Sequence, residues 1–176
     1  MKTTYLAIAL LIALFSSCKD GQRLENDSLV MGTHEALLRS TFHNFVEHAW
    51  NDSNMDSLKT LVEENFVKHL NGIQIAGNQS EMEANMNIYF KGFPDGKVST
   101  QNIQVKGDHL FAQWVYTGTN TGIFGEYPPT GKKVNVHGYT HIQFNDIGKM
   151  TREAIYYNEL ELLQQLGYTL NPPVLE

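Results

Sequence analysis

Two stretches toward the C-terminal end concentrate side chains able to move protons. In one, His137, Tyr139, His141 and Gln143 recur at every second residue; in the other, Thr151, Glu153, Ile155 and Tyr157 do the same. A β-strand turns successive side chains to opposite faces, so each set shares one face of its strand. Imidazole, phenol and carboxyl groups on one surface can donate and accept protons near neutral pH. The row is more polar than a packing face needs to be, and its plain alternative is the solvated side of a sheet. Glu153 suits an acid if it is buried near aromatic rings, where a carboxyl group holds its proton more tightly. Solvent exposure, or a salt bridge to a Lys or Arg, is the competing reading. His69, just ahead of the Asn71-Gly72 turn, fits either a pocket mouth or an open surface. Further along, Trp114 and Tyr116 alternate with Gln113 and Thr117, and Gln113 and Thr117 are the pair expected to face a pocket.

Other chemistries lack their residues. His137 and His141 stand four residues apart on a strand, about 13 Å between Cα atoms, too far for both to hold one ion. His43 and His48 are five apart on a helix and diverge. No metal and no cofactor is therefore expected. There is no Gly-x-Ser-x-Gly elbow for a hydrolase. The glycines from Gly118 to Gly125 lie between strands and do not open a helix, so they are not a phosphate loop. The formal net charge is −6 with no basic stretch, which argues against a nucleic-acid partner.

The elements that must position these side chains are legible in the pattern. Hydrophobic residues make up 41% of 176 and charged residues 18%, enough for one globular domain with a core and too little chain for two. Leu38, Phe42, Phe45, Val46, Ala49 and Trp50 make a helical stripe. Asn54 can cap a short second helix holding Leu58, Leu61 and Val62. An extended piece, Phe66 to His69, leads to the Asn71-Gly72 turn. Ser80 and Glu83 have capping-box spacing ahead of Met82, Met86, Tyr89 and Phe90, and Pro94 closes that third helix. Gln101 to Lys106 and His109 to Thr119 read as a hairpin around Gly107-Asp108. Strands from Lys133 to Phe144 and Met150 to Tyr157 follow, and Asn158 caps a last helix stopped by Gly167. The layout is α+β, with three N-terminal helices packed on a curved antiparallel sheet. Its second face is wet or pairs with another copy as a homodimer.

Gly118-Thr119-Asn120-Thr121-Gly122, with Phe124 and then Pro128-Pro129-Thr130-Gly131-Lys132, resembles the "GTHTG…PPTGK" signature of SnoaL-like polyketide (ester) cyclases. Gly148-Lys149-Met150 and Leu162-Leu163-Gln164-Gln165-Leu166-Gly167 resemble that family's "GKI" and "LLxQLG" elements, in the right order. The likeness covers Met31 to Tyr168. It implies the cone-shaped α+β barrel of nuclear transport factor two and ketosteroid isomerase, with a pocket between sheet and helices. It also implies a proton donor on the last strand, at the position of Ile155, and an accompanying histidine at His141. Isoleucine carries no proton, and Asn120 replaces the signature's histidine. With His141 turned to the pocket, His137, Tyr139, Ile155 and Tyr157 join it as ligand contacts, with His69, Gln113 and Thr117, and Glu153 becomes the substitute acid. Two functions then stand side by side. One is a pocket that binds a small apolar or aromatic molecule with little or no catalysis; the other is an acid–base enzyme using His141 and Glu153.

The N-terminus reads as an address. Lys2 precedes an uninterrupted apolar run, Leu6 to Phe15, too short to span a bilayer. Phe15-Ser16-Ser17-Cys18 resembles a bacterial lipobox, in which the cysteine becomes a lipidated N-terminus. Cys18 is the only cysteine, so it has no internal disulfide partner. The expected plan is a signal peptide over 1–17, a tether over 18–31, the domain over 32–170 and a tail over 171–176. Lys19 after the cysteine favours the outer over the inner membrane of the cell envelope. Cys18→Ser is expected to release the protein from membranes or to block its processing, as fractionation and the mass of the N-terminal peptide will show; unchanged membrane partition with normal cleavage contradicts the anchor.

Overall fold

The computed structural model describes residues 32–172, so Cys18 and the expected signal and tether lie outside the described residues. The chain divides into two units, 1–36 and 37–176. In the first, residues 32–36 are helical. The second carries everything that follows.

It opens with helix α1 (37–44), which passes into a π-helical turn at Phe45–Asn51. Then come α2 (Met55–Leu61), β1 (Val62–Leu70), β2 (Ile73–Ala76) and α3 (Gln79–Gly92). They are followed by β3 (Lys97–Lys106), β4 (His109–Thr119), β5 (Lys133–Phe144), β6 (Met150–Tyr157) and α4 (Glu159–Leu166). The described residues thus form an α+β fold of four helices on a curved, open six-stranded sheet, ordered β2-β1-β6-β5-β4-β3. Two expectations need correction. The third helix follows a strand pair instead of preceding the sheet. The sheet is mixed, because β1 runs parallel to β6 while every other neighbour is antiparallel. The sequence shows β1 only as a brief extended piece, because a charged residue, Lys68, occupies an inward position of its apolar alternation.

Local chemistry fixes the ends. Asn54 Oδ1 accepts from the amides of Asp56 and Ser57, and Asn158 Oδ1 from that of Glu161. The box that starts α3 sits two residues earlier than Ser80–Glu83. Asn78 Oδ1 accepts from Glu81 N–H at 2.9 Å, and Glu81 Oε2 from Gly77 N–H at 2.7 Å. Gly167 ends α4 at φ +99°, a left-handed turn that suits glycine.

The stripe on α1 and the π-turn (Leu38, Phe42, Phe45, Val46, Ala49) packs with Leu58, Phe66, Met82, Met86, Leu110, Ile142 and Met150 as the main core. A second cluster joins Phe93, Tyr116, Val134, Val136, Leu162 and Leu166. Asn120, the departure from the signature, is a clasp. It is 1% exposed. Its Nδ2 donates to the carbonyls of Gly92 and Gly122, and its Oδ1 accepts from the amide and hydroxyl of Thr130. Every polar atom of that amide is satisfied, so the glycine-rich loop is tied to the end of α3.

Candidate active site

A cavity lies between the two clusters. Phe42, Phe45, Val46 and Trp50 come from the first helix and its π-turn, Asn85 and Tyr89 from α3, and Leu162 from α4. The sheet supplies Lys68, Ile75, Val98, Thr100, Trp114, Tyr116, Val136, Thr140, Glu153, Ile155 and Tyr157. The empty space measures about 720 Å³ with the open mouth included. It is a narrow slot with aromatic walls.

The polar end of the slot is a buried ion pair. Parallel pairing of β1 with β6 sets Lys68 directly opposite Glu153. Lys68 Nζ stands 3.2 Å from Glu153 Oε2, with side chains 2% and 5% exposed. Thr140 Oγ1 donates to Glu153 Oε1 at 3.1 Å. The Lys68 ammonium also lies 5.0 Å from the centre of the Trp50 ring, where the π-face attracts a cation. Oε2 faces the ammonium as an ion pair outside hydrogen-bonding geometry, and it accepts no hydrogen bond among the described residues. Glu153 is thus both buried among aromatic rings and salt-bridged, two situations that the sequence presents as alternatives.

The other end is phenolic. Tyr89 and Tyr157 share a hydrogen bond of 3.0 Å between their hydroxyls. Trp50 packs edge-on against Tyr89, and Trp114 against Tyr157. Burial pushes the Tyr89, Tyr116 and Tyr157 hydroxyls above the ordinary tyrosine range, so all three remain protonated donors at neutral pH.

Of the residues singled out in the sequence, Glu153, Ile155 and Tyr157 line this slot. The β5 row lies on the opposite side of the sheet. Val134, Val136, Thr140, Ile142 and Phe144 turn inward, so His137, Tyr139, His141 and Gln143 turn outward. Apolar alternation decides this, since only the even-numbered set can be buried without stranding polar groups. His141 Nε2 meets His109 Nδ1 at 2.7 Å, and its ring stacks on Phe111 at 4.6 Å. Burial, then the neighbouring His109 and Arg152 charges, hold the His141 pKa below the usual imidazole value. His69 follows Lys68 by one residue and is not among the residues that line the slot; its Nδ1 is buried and has no hydrogen-bond partner among the described residues. On β4 it is Trp114 and Tyr116 that face inward; Gln113 is exposed, and Thr117 edges a shallow groove with Asp95, Lys133 and Gln165. Lys68 is the residue that sequence reasoning misses. Its signal is the spacing Phe66-x-Lys68-x-Leu70, which places a lysine within the apolar set of a strand.

The profile of the family described as "SnoaL-like polyketide cyclase" matches residues 40–166. The chain belongs to that family. Solved structures share the fold. A candidate SnoaL-like polyketide cyclase from Jannaschia sp. CCS1 aligns with TM-score 0.69 and 22% identity over 78% of this chain and 94% of its own. AclR, a candidate hydroxylase from Streptomyces galilaeus, gives 0.68 and 24% over 78% and 85%. IdmH, a candidate polyketide cyclase from Streptomyces antibioticus, gives 0.64 and 22% over 74% and 99%. No curated protein sequence matches the chain. This SnoaL-like chain carries isoleucine where the resemblance puts the acid, and a carboxylate two residues earlier on the same strand face, about 7 Å away at strand rise.

A double-mutant cycle measures how much the ion pair matters. Lys68→Met or Glu153→Leu alone leaves one buried charge without its partner, at a cost of about 3–5 kcal/mol. The double variant is expected to recover most of that loss in denaturant unfolding. Small, additive single effects would show two charges that do not depend on each other.

Proposed function

We propose that the cavity binds a flat, largely apolar ring compound bearing a carbonyl group, and that Glu153 moves a proton on it. The observation that carries this reading is the buried Glu153 carboxylate in the aromatic slot, with Lys68 3.2 Å away and Oε2 accepting no hydrogen bond among the described residues. A carboxylate so placed can take a proton from the carbon beside a carbonyl. The Lys68 ammonium then sits within reach of the negative charge that develops on the carbonyl oxygen. Enolisation of this kind underlies ring closure, isomerisation and dehydration, and the family name adds cyclisation to the reactions considered. His141, outside the slot, has no part in it.

A second reading keeps the pocket and drops the chemistry: a binding module for a small aromatic molecule. Ile155 favours it, since the resemblance places the family's proton donor there. In either case the proposal includes location. Cys18 is the lipid-bearing residue that holds the domain at the cell envelope, on the strength of the lipobox-like residues ahead of it.

Exchange of the α-protons of 2-tetralone in heavy water separates the two readings. The wild-type chain is expected to accelerate exchange, and Glu153→Gln to lose about a hundredfold to ten-thousandfold of that rate. Thermal stabilisation by 2-tetralone with no acceleration supports binding alone. Neither stabilisation nor acceleration contradicts both.

A further inference from the structure

Lys68 is a primary amine inside a ligand-sized slot, and proton transfer by Glu153 does not require it to be one. We infer that Lys68 captures aldehydes or ketones covalently, as an iminium ion, and that the slot is built to hold that cation. The inference rests on the cavity being the ligand site and deepens that reading.

Charge is the first ground. Taking an ion pair out of water costs several kcal/mol per ion, and only mutual attraction in good geometry offsets it. A step that created or removed a net charge there would lose that compensation. Iminium formation does neither. The ammonium and the carbonyl compound become an iminium ion and water, with one positive charge before and after. Glu153 takes a proton from Nζ and frees its lone pair, which forms the C–N bond while the C=O π-electrons move onto oxygen. The carboxyl group returns that proton to the oxygen. A second proton follows the same route, the C–O bond breaks and water leaves with its electrons, as nitrogen completes the C=N bond. The nitrogen cation faces the Glu153 carboxylate at the start and at the end, and each proton transfer between them passes through a neutral pair, so the site never holds a net charge.

Position is the second ground. Oε2, the oxygen facing Nζ, is the one that accepts no hydrogen bond, while Oε1 is held by Thr140. One oxygen is anchored and the other is open to carry protons. The Trp50 face 5.0 Å from Nζ attracts an iminium as it attracts an ammonium. The register against β2 also shifts between Lys68 and His69, leaving Ile75 as a bulge that lines the slot. Such bulges re-aim side chains and recur beside active sites. An iminium makes the adjacent C–H bonds more acidic, so the same carboxylate that assembles it can draw the proton.

The full-length protein is incubated with 2-tetralone and sodium cyanoborohydride, which reduces iminium ions to stable amines, and the adduct is located by peptide mass spectrometry. The expected result is one saturable adduct on Lys68, slowed about a hundredfold in Glu153→Gln and absent in Lys68→Arg. Competition by 1,2,3,4-tetrahydro-2-naphthol, the alcohol without the carbonyl, is expected to suppress it. Because Lys68→Arg can fold poorly, the location of the wild-type adduct decides by itself. Adducts confined to surface lysines, or none, while 2-tetralone raises the melting temperature, overturn the covalent inference and leave the pocket reading intact. No adduct and no stabilisation by either compound overturn both.

Discussion

An ammonium and a carboxylate buried face to face set the terms for the rest of this domain. Either Lys68 or Glu153 without the other is an unpaired buried charge, at a cost of about 3–5 kcal/mol. Their pairing is a consequence of topology. The parallel match of β1 to β6 brings residue 68 opposite residue 153, and a one-residue slip would turn one of them to the far face. Thr140 on β5 and Trp50 in the π-turn complete the enclosure from two other elements. The strands and the first helix are thus committed to a common register by one electrostatic requirement.

Around that pair the walls are aromatic and mostly apolar. The π-helical turn Phe45–Asn51 presents Phe45, Val46 and Trp50 to the slot, and Asn51 at its end bonds both the amide and the carbonyl of Val98 on the edge strand. Gly138 lets the Trp114 ring lie against β5, since a Cβ there would collide with the ring. The slot accordingly has three zones: an ion pair at one end, Ile155 between, and the linked Tyr89 and Tyr157 hydroxyls with Trp114 at the other. Glu153 and Tyr157 are four residues apart on one strand, about 13 Å at strand rise. A flat ligand with a carbonyl at one end and a hydrogen-bond acceptor at the other matches that order.

Much of this was legible in the residues, and the failures have physical causes. Strands β4, β5 and β6 and their turns follow from alternation and from Gly107-Asp108 and Gly148. The caps of α2 and α4 follow from Asn54 and Asn158. The motifs from Gly118 to Gly167 carry the family. The resemblance turns His141 to the pocket, whereas the burial of Val134, Val136, Ile142 and Phe144 decides the side and turns His141 outward. Lys68 is hidden in the sequence for the converse reason. A lysine within an apolar set reads as an interruption, and only the partner strand, more than eighty residues on, shows that it has a counter-charge. No local pattern contains that information.

The central claim is that ligands enter the slot between helices and sheet and leave the outer imidazole and phenol row alone. Trp50 and Trp114, the only two tryptophans, both line the slot, whereas His137 and His141 lie on the outer face. Nuclear magnetic resonance of the isotope-labelled chain during titration with 2-tetralone reads both surfaces at once. Both indole N–H signals are predicted to shift and to saturate together, with the ring signals of His137 and His141 unmoved. Shifts at those imidazoles with the indoles unchanged would place the ligand on the outer face and contradict the account.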